Sequence, residues 1–214
     1  MAKAADGQSI LENAYQLHTP DDNRTYYDAF AETYDKDFVE AMGYSYPATV
    51  AAVYLREAGA DDVPVADIGC GTGIVAETLR LPAQSMDGID ISPEMLRLAA
   101  VKGLYRSLIA ADLTQSLESL GHSYGGVVSA GTFTHGHLGP EPLRNLLNIA
   151  RSGALFVIGI NEAHFGKLGF RDVLDQLERD GLIHGLKAER RPIYDKQGHD
   201  HSNDHAFIVQ FRRG

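Results

Sequence analysis

The stretch V-A-D-I-G-C-G-T-G, Val65 to Gly73, decides the fold. An apolar run enters a turn in which Gly69, Gly71 and Gly73 alternate with Cys70 and Thr72, and a helical pattern follows. Glycines at this density let the backbone take left-handed angles and leave its amides open to a nucleotide-like ligand. The spacing is G-x-G-x-G, with Ile74 where a dinucleotide turn needs its third glycine, so the loop is not shaped for a pyrophosphate. Asp67 stands two residues before the first glycine, where its carboxylate can fix loop amides or an ammonium group. Asp90, in G-I-D-I at the end of the next predicted strand, is placed to accept both hydroxyls of a ribose.

Outward from this loop, strand and helix patterns alternate. Val63 to Gly69, Ser85 to Ile91, Tyr105 to Asp112, Tyr124 to Thr132 and Ala154 to Asn161 read as strands with helices between them, which predicts a parallel sheet covered on both faces. Ser92 can cap a helix that has Pro93 at its first position, Glu94 near its positive end, Lys102 near its negative end and Gly103 as a left-handed stop. Leu143, Leu146, Leu147 and Ala150 share one helical face, as do Phe170, Val173, Leu174 and Leu177 before Gly181. Ala188 to Asp195 and His205 to Arg212 follow as strands; the polar segment between them is too short for a parallel crossover and predicts an antiparallel hairpin. The first 60 or so residues are helical in pattern, with Tyr27, Phe30, Tyr34 and Phe38 along one side, and Asp21 and Asp22 mark an expected turn before them. At 214 residues the chain predicts one domain, with residues 1–60 as a helical cap and 61–214 as an α/β core.

With the glycine loop, Asp67 and Asp90 in place, the sequence resembles the class I S-adenosylmethionine-dependent methyltransferases. The resemblance implies a Rossmann-like, doubly wound α/β fold of seven strands in the order 3-2-1-4-5-7-6, mostly parallel with an antiparallel C-terminal hairpin, and S-adenosylmethionine as cofactor. It implies that Asp112, in A-A-D-L at the end of the third strand, accepts a hydrogen bond from the adenine amino group. Ile91, Met95 and Leu113 would sandwich the ring, or serve as plain core. Gly69, Cys70, Gly71 and Gly73 complete the expected cofactor site, with Tyr27 and Tyr34 from a cap that either closes over the crevice or simply packs. The opening Y-D-A-F-A-E-T-Y-D and the G-T-F-T-H-G-H-L loop look most like the methyltransferase-like group that includes the Williams-Beuren region protein.

Methyl transfer is an in-line displacement that needs approach geometry, water exclusion and sometimes a base. Seven of nine histidines lie after residue 130, six of them in loops following the predicted fourth, fifth and sixth strands. His135 is the expected base or substrate anchor, because it follows the fourth strand directly, and His137 is the reserve. His199 to His205 is a further candidate, or a solvated turn.

Composition narrows the partners. Nineteen Lys and Arg against 29 Asp and Glu give a net charge of −10, which disfavours nucleic acid and anionic membranes. The single cysteine, Cys70, forms no internal disulfide and agrees with a reducing cytoplasm. Within the loop it reads as a small buried residue rather than a nucleophile. No N-P-P-Y-like tetrapeptide follows the fourth strand, so a small molecule with a hydroxyl, amine, carboxyl or thiol acceptor is expected, with a protein side chain next. The alternatives are a nicotinamide-dependent oxidoreductase, against which Ile74 and Asp112 argue, and a module that binds the cofactor without turnover. A histidine metal site is last, since His201 and His205 lack a surrounding helix pattern and no zinc geometry is supported. No motif speaks to oligomeric state.

Overall fold

The computed structural model describes residues 7–121 and 123–214. Two helices come first, α1 (Gly7–Ala14) and α2 (Pro20–Thr33); α2 runs into a π-helical segment, Tyr34–Glu40, and α3 (Tyr46–Glu57) follows. The chain then alternates through β1 (Val65–Ile68), α4 (Ile74–Leu79), β2 (Met86–Asp90), α5 (Pro93–Lys102), β3 (Ser107–Ala110), β4 (Tyr124–Phe133), α6 (Leu143–Ile149) and β5 (Ala150–Asn161). It closes with α7 (Glu162–Lys167), α8 (Phe170–Arg179), β6 (Ile183–Pro192) and β7 (His205–Arg213).

The seven strands form one sheet in the order β3-β2-β1-β4-β5-β7-β6, with β7 antiparallel to both β5 and β6 and the rest parallel. This is the Rossmann-like order that the resemblance implies. Helices cover both faces, so alternate residues of each central strand enter opposite cores. Ile68, Ile89, Val127 and Phe156 pack with Leu146 of α6 and Leu174 of α8. Val65, Met86, Val128 and Val157 pack with Val50 and Tyr54 of α3 and Val75 of α4. The order reverses between β2, β1 and β4, and a crevice opens at the carboxyl ends of those strands, the place where such sheets take ligands.

Helix α5 begins and stops as its sequence predicts: Ser92 Oγ accepts from Met95 N–H at 3.1 Å, and Gly103 has φ 64°. Elsewhere the structure corrects the pattern. Asp21 and Asp22 lie inside the first turn of α2 rather than in a turn before it. Thr19 Oγ1 accepts from Asp22 N–H at 3.1 Å while Asp22 Oδ2 accepts from Thr19 N–H at 3.0 Å, a reciprocal cap followed by proline at the first helical position. β6 begins at Ile183, five residues before the predicted Ala188. It is the sheet edge and mostly exposed, so its alternation carries little apolar signal. Ala150 opens β5 instead of ending α6, and the six-residue α7 is too short to show a stripe. Among the described residues no helix is long and apolar enough to cross a membrane.

Candidate active site

The glycine loop leaves β1 with three left-handed residues, Gly69 at φ 65°, Gly71 at 52° and Gly73 at 92°, a backbone that side chains resist. Gly69 N–H and Cys70 N–H both donate to Ile89 O, at 2.7 and 3.1 Å, tying the loop to β2. A Cβ at Gly69 would collide with the Thr132 side chain from β4, whereas one at Gly71 would meet nothing within 4 Å. Asp90 braces the loop from below: its Oδ2 accepts from Gly71 N–H at 2.8 Å and its Oδ1 from Ser92 N–H at 2.9 Å. Each oxygen retains a lone pair for a further donor. Burial raises the Asp90 pKa against the effect of these amides.

A cavity of about 270 Å³ opens here. At one end stand Gly69, Gly71, Asp90, Ile91, Met95, Asp112 and Leu113. Asp112 Oδ1 accepts from Thr114 N–H and Oγ1, at 2.9 and 2.7 Å. The spread of glycine backbone, then Asp90, then Asp112 between apolar side chains fits an adenosine: room for bare amides, a carboxylate for hydroxyls, and a carboxylate beside an apolar slot. At the other end Tyr15, Tyr44, Tyr46 and Tyr194 form an aromatic wall. No lysine or arginine lines the cavity among the described residues.

Three residues expected at the cofactor do not line this cavity. Cys70 is buried beneath the loop, where its Sγ fills the space above Gly88; a Cβ on Gly88 would lie 2.8 Å from it. Burial pushes its thiol pKa well up, and it packs rather than reacts. Gly73 starts α4, its N–H donating to Cys70 O at 2.8 Å. Asp67 is fully buried and holds no loop amide. Its Oδ2 accepts from Tyr105 Oη at 2.6 Å, and its Oδ1 has no partner. Burial, opposed by the tyrosine bond and aided by Asp90, raises its pKa to about 7.

The cap is latched to the glycine loop and α5. Tyr27-Asp28 and Tyr34-Asp35 are seven residues, two helical turns, apart, so both tyrosines line the cavity and both aspartates reach the glycine loop and α5. Asp28 Oδ1 accepts from Ser92 Oγ at 2.6 Å; Asp35 accepts from Thr72 Oγ1 at 2.6 Å and from Lys102 Nζ at 2.9 Å. Phe30 packs between Tyr26 and Tyr34 and does not line the cavity.

The histidines divide differently from expectation. His135 does not line the cavity: its ring stands edge-on between Tyr15 and His164, with centroids 5.2 Å from each. Ala130 to Thr134 line the cavity in succession; the chain turns at Gly136, at φ 74°, and His137 and Leu138 line it again. His137 Nδ1 lies 2.7 Å from His135 O and its Nε2 2.8 Å from Tyr27 Oη. None of His199, His201 and His205 lines the cavity; His201 Nδ1 pairs with Asp204 Oδ2 at 2.8 Å. Tyr44, Tyr46 and Tyr194 carry no motif; Tyr44 reaches the cavity from the turn before α3, where it bridges to Tyr194 of the β6–β7 hairpin, and Tyr46 from the first position of α3.

Residues 65–153 match the family model of the methyltransferase domain. With the sheet order, this supports a methyltransferase domain over that stretch. Among individual proteins, the chain is 28% identical over 197 residues to human methyltransferase-like protein 27, covering 87% of this chain and 76% of that one. It is 30% identical over 73 residues to a ubiquinone biosynthesis O-methyltransferase of Serratia proteamaculans, covering 34% of this chain and 30% of the relative. The fold is similar to that of a TehB-like S-adenosylmethionine-dependent methyltransferase from Corynebacterium glutamicum, with TM-score 0.58, 20% identity, and coverage of 89% of this chain and 99% of that one.

Proposed function

We propose that the protein transfers the methyl group of S-adenosylmethionine to a small acceptor that carries no negative charge and presents a flat or apolar face. The observation that carries this reading is the single cavity joining an adenosine-shaped end to an aromatic wall with no lysine or arginine in its lining. Carboxylate and phosphate acceptors would find no lysine or arginine there and only the cofactor's own sulfonium as counter-charge, so the carboxyl acceptors allowed by sequence are disfavoured and hydroxyl, amine and thiol acceptors are preferred. The same lining offers nothing to a pyrophosphate and gives no support to a nicotinamide cofactor. The cofactor supplies an electrophilic methyl group. Asp90 would accept from the ribose, Asp112 from the adenine, and Met95 and Leu113 would hold the ring. Tyr27 and Tyr34 roof the crevice and keep water out.

The Y-D-A-F-A-E-T-Y-D opening and the likeness to methyltransferase-like protein 27 support placement near that methyltransferase-like group. The charge of −10 and the lone buried cysteine support a cytoplasmic enzyme that acts on neither nucleic acid nor membrane.

Calorimetry with S-adenosylmethionine and S-adenosylhomocysteine tests the cofactor half, and transfer of a labelled methyl to uncharged phenols, amines and thiols against matched carboxylates tests the acceptor half. No binding of either nucleoside refutes the first; faster methylation of the carboxylates refutes the second.

A further inference from the structure

We propose that Tyr27 and His137 form a two-residue proton relay, in which the acceptor's proton passes to Tyr27 Oη as the tyrosine proton passes to His137 Nε2. The inference rests on the methyl-transfer reading and supplies the route for the acceptor's proton within it.

The geometry assigns every hydrogen in the pair. His135 O can only accept, so His137 Nδ1, 2.7 Å away, carries the proton. Burial lowers the His137 pKa to about 4, so the ring is neutral near pH 7 and Nε2 is a bare acceptor. The 2.8 Å contact is therefore Tyr27 O–H donating to Nε2. Tyr27 still has acceptor capacity at its oxygen, and both residues line the cavity. Burial also holds the phenol far above its usual pKa, so Tyr27 hands on a proton without becoming a free phenolate. The groups facing the pair are His135 on the same loop, His164 from α7, Asp90 from β2, Tyr15, Tyr26 and Tyr44 from the cap, and Tyr34, whose ring lies 6.2 Å from that of Tyr27. Among them Asp90 is the one acid.

The step balances. A lone pair on the acceptor atom forms the new bond to methyl, and the methyl–sulfur bonding pair stays on sulfur. The acceptor's proton goes to Tyr27 Oη, and the former Tyr27 proton goes to His137 Nε2. The positive charge leaves sulfur and reappears on the imidazole, so the buried site gains no net charge. This is why a histidine with so low a pKa can serve: the cation it becomes replaces one already there. It also assigns His135 a different part from the base expected of it, since its carbonyl fixes the His137 tautomer while its ring points away.

Two measurements test the relay. Nitrogen NMR on histidine-labelled protein without cofactor should show His137 neutral at pH 7 with its proton on Nδ1. The Nε2 resonance should move toward the unbonded position in Tyr27→Phe with the tautomer unchanged. A proton on Nε2, or a Tyr27→Phe spectrum identical to wild type, overturns the relay. In the second measurement, labelled methyl transfer is followed with phenol, catechol, an imidazole amine and thiophenol as probes. Tyr27→Phe and His137→Gln should each lower turnover by about 10² to 10⁴, the double variant no further than the worse single, with cofactor affinity within about threefold. Full turnover in either single variant overturns the relay. If wild type binds the cofactor and methylates none of the probes, the acceptor reading fails, and the nitrogen spectra still decide the pair.

Discussion

Replacing Asp67 by asparagine should stabilise the protein at neutral and alkaline pH while weakening its hold on a cationic cofactor. The carboxyl is fully buried, and among the described residues its Oδ2 accepts from Tyr105 Oη at 2.6 Å while Oδ1 has no partner. Its pKa rises from 3.8 to about 7 on folding, because burial disfavours the charged form. The sign follows directly. Between about pH 4 and 7 the folded protein keeps a proton that the unfolded chain releases, so stability is full below pH 4, falls as pH rises through 7, and is level above it. At about 1.4 kcal/mol per pH unit, the ionised carboxylate costs about 4 kcal/mol above pH 7. Asparagine keeps the shape and the acceptor for Tyr105 and cannot ionise; an unpaired amide costs about 1 to 3 kcal/mol of the gain. Urea unfolding from pH 5 to 9 should therefore give wild-type stability that declines with pH, a flatter profile for Asp67→Asn, and a net advantage of about 1 to 3 kcal/mol at pH 8. A bound cation above the loop favours the carboxylate, so S-adenosylmethionine should release protons from wild type near pH 7, read as a buffer-dependent heat, and fewer from the variant. Parallel pH profiles for the two proteins would refute the reasoning.

Asp90→Ala removes the brace under Gly71 and the acceptor for the ribose. Cofactor affinity in calorimetry should fall by about ten- to a hundredfold, with unfolding still cooperative. Gly69→Ala forces φ 65° on a side chain and drives its Cβ into Thr132, so cofactor binding and thermal stability should both drop. Asp28→Ala and Asp35→Ala cut the latches to Ser92 and to Thr72 and Lys102; hydrogen exchange over residues 20–40 should accelerate in the unliganded protein while the β1 and β4 amides keep their protection. Thr19→Ala removes one half of the reciprocal cap of α2 and should cost about 1 kcal/mol in urea unfolding.

Much of the fold and part of the site were legible because they depend on local chemistry. A left-handed turn after an apolar run needs glycine, a helix start needs a cap and tolerates proline, and strands buried on both faces read as apolar runs; Val65 to Gly73 and Ser92 to Gly103 carry these signals whatever surrounds them. Asp90 follows from them, since strand ends in such a sheet converge on one crevice, and Asp112 follows from the family resemblance; both line the cavity. The misjudged residues are those whose roles depend on direction rather than position. Cys70 sits within the loop yet its Sγ packs against Gly88 of β2, away from the cavity. His135 follows β4 more closely than His137, yet Gly136 turns the chain so that His137 lines the cavity and His135 supplies only a carbonyl.

The sequence by itself determined the class of fold and the left-handed glycine loop, because those rest on backbone conformations that few residues permit and on spacings within one strand–turn–helix unit. Only the tertiary structure decided that Tyr27 meets His137 across 110 positions, that Asp67 is left with an unpartnered oxygen, and that Tyr44 and Tyr194 line the cavity. Those pairings come from elements distant in the chain packing over one sheet, and burial, which sets the protonation of each group, does not exist until they have packed.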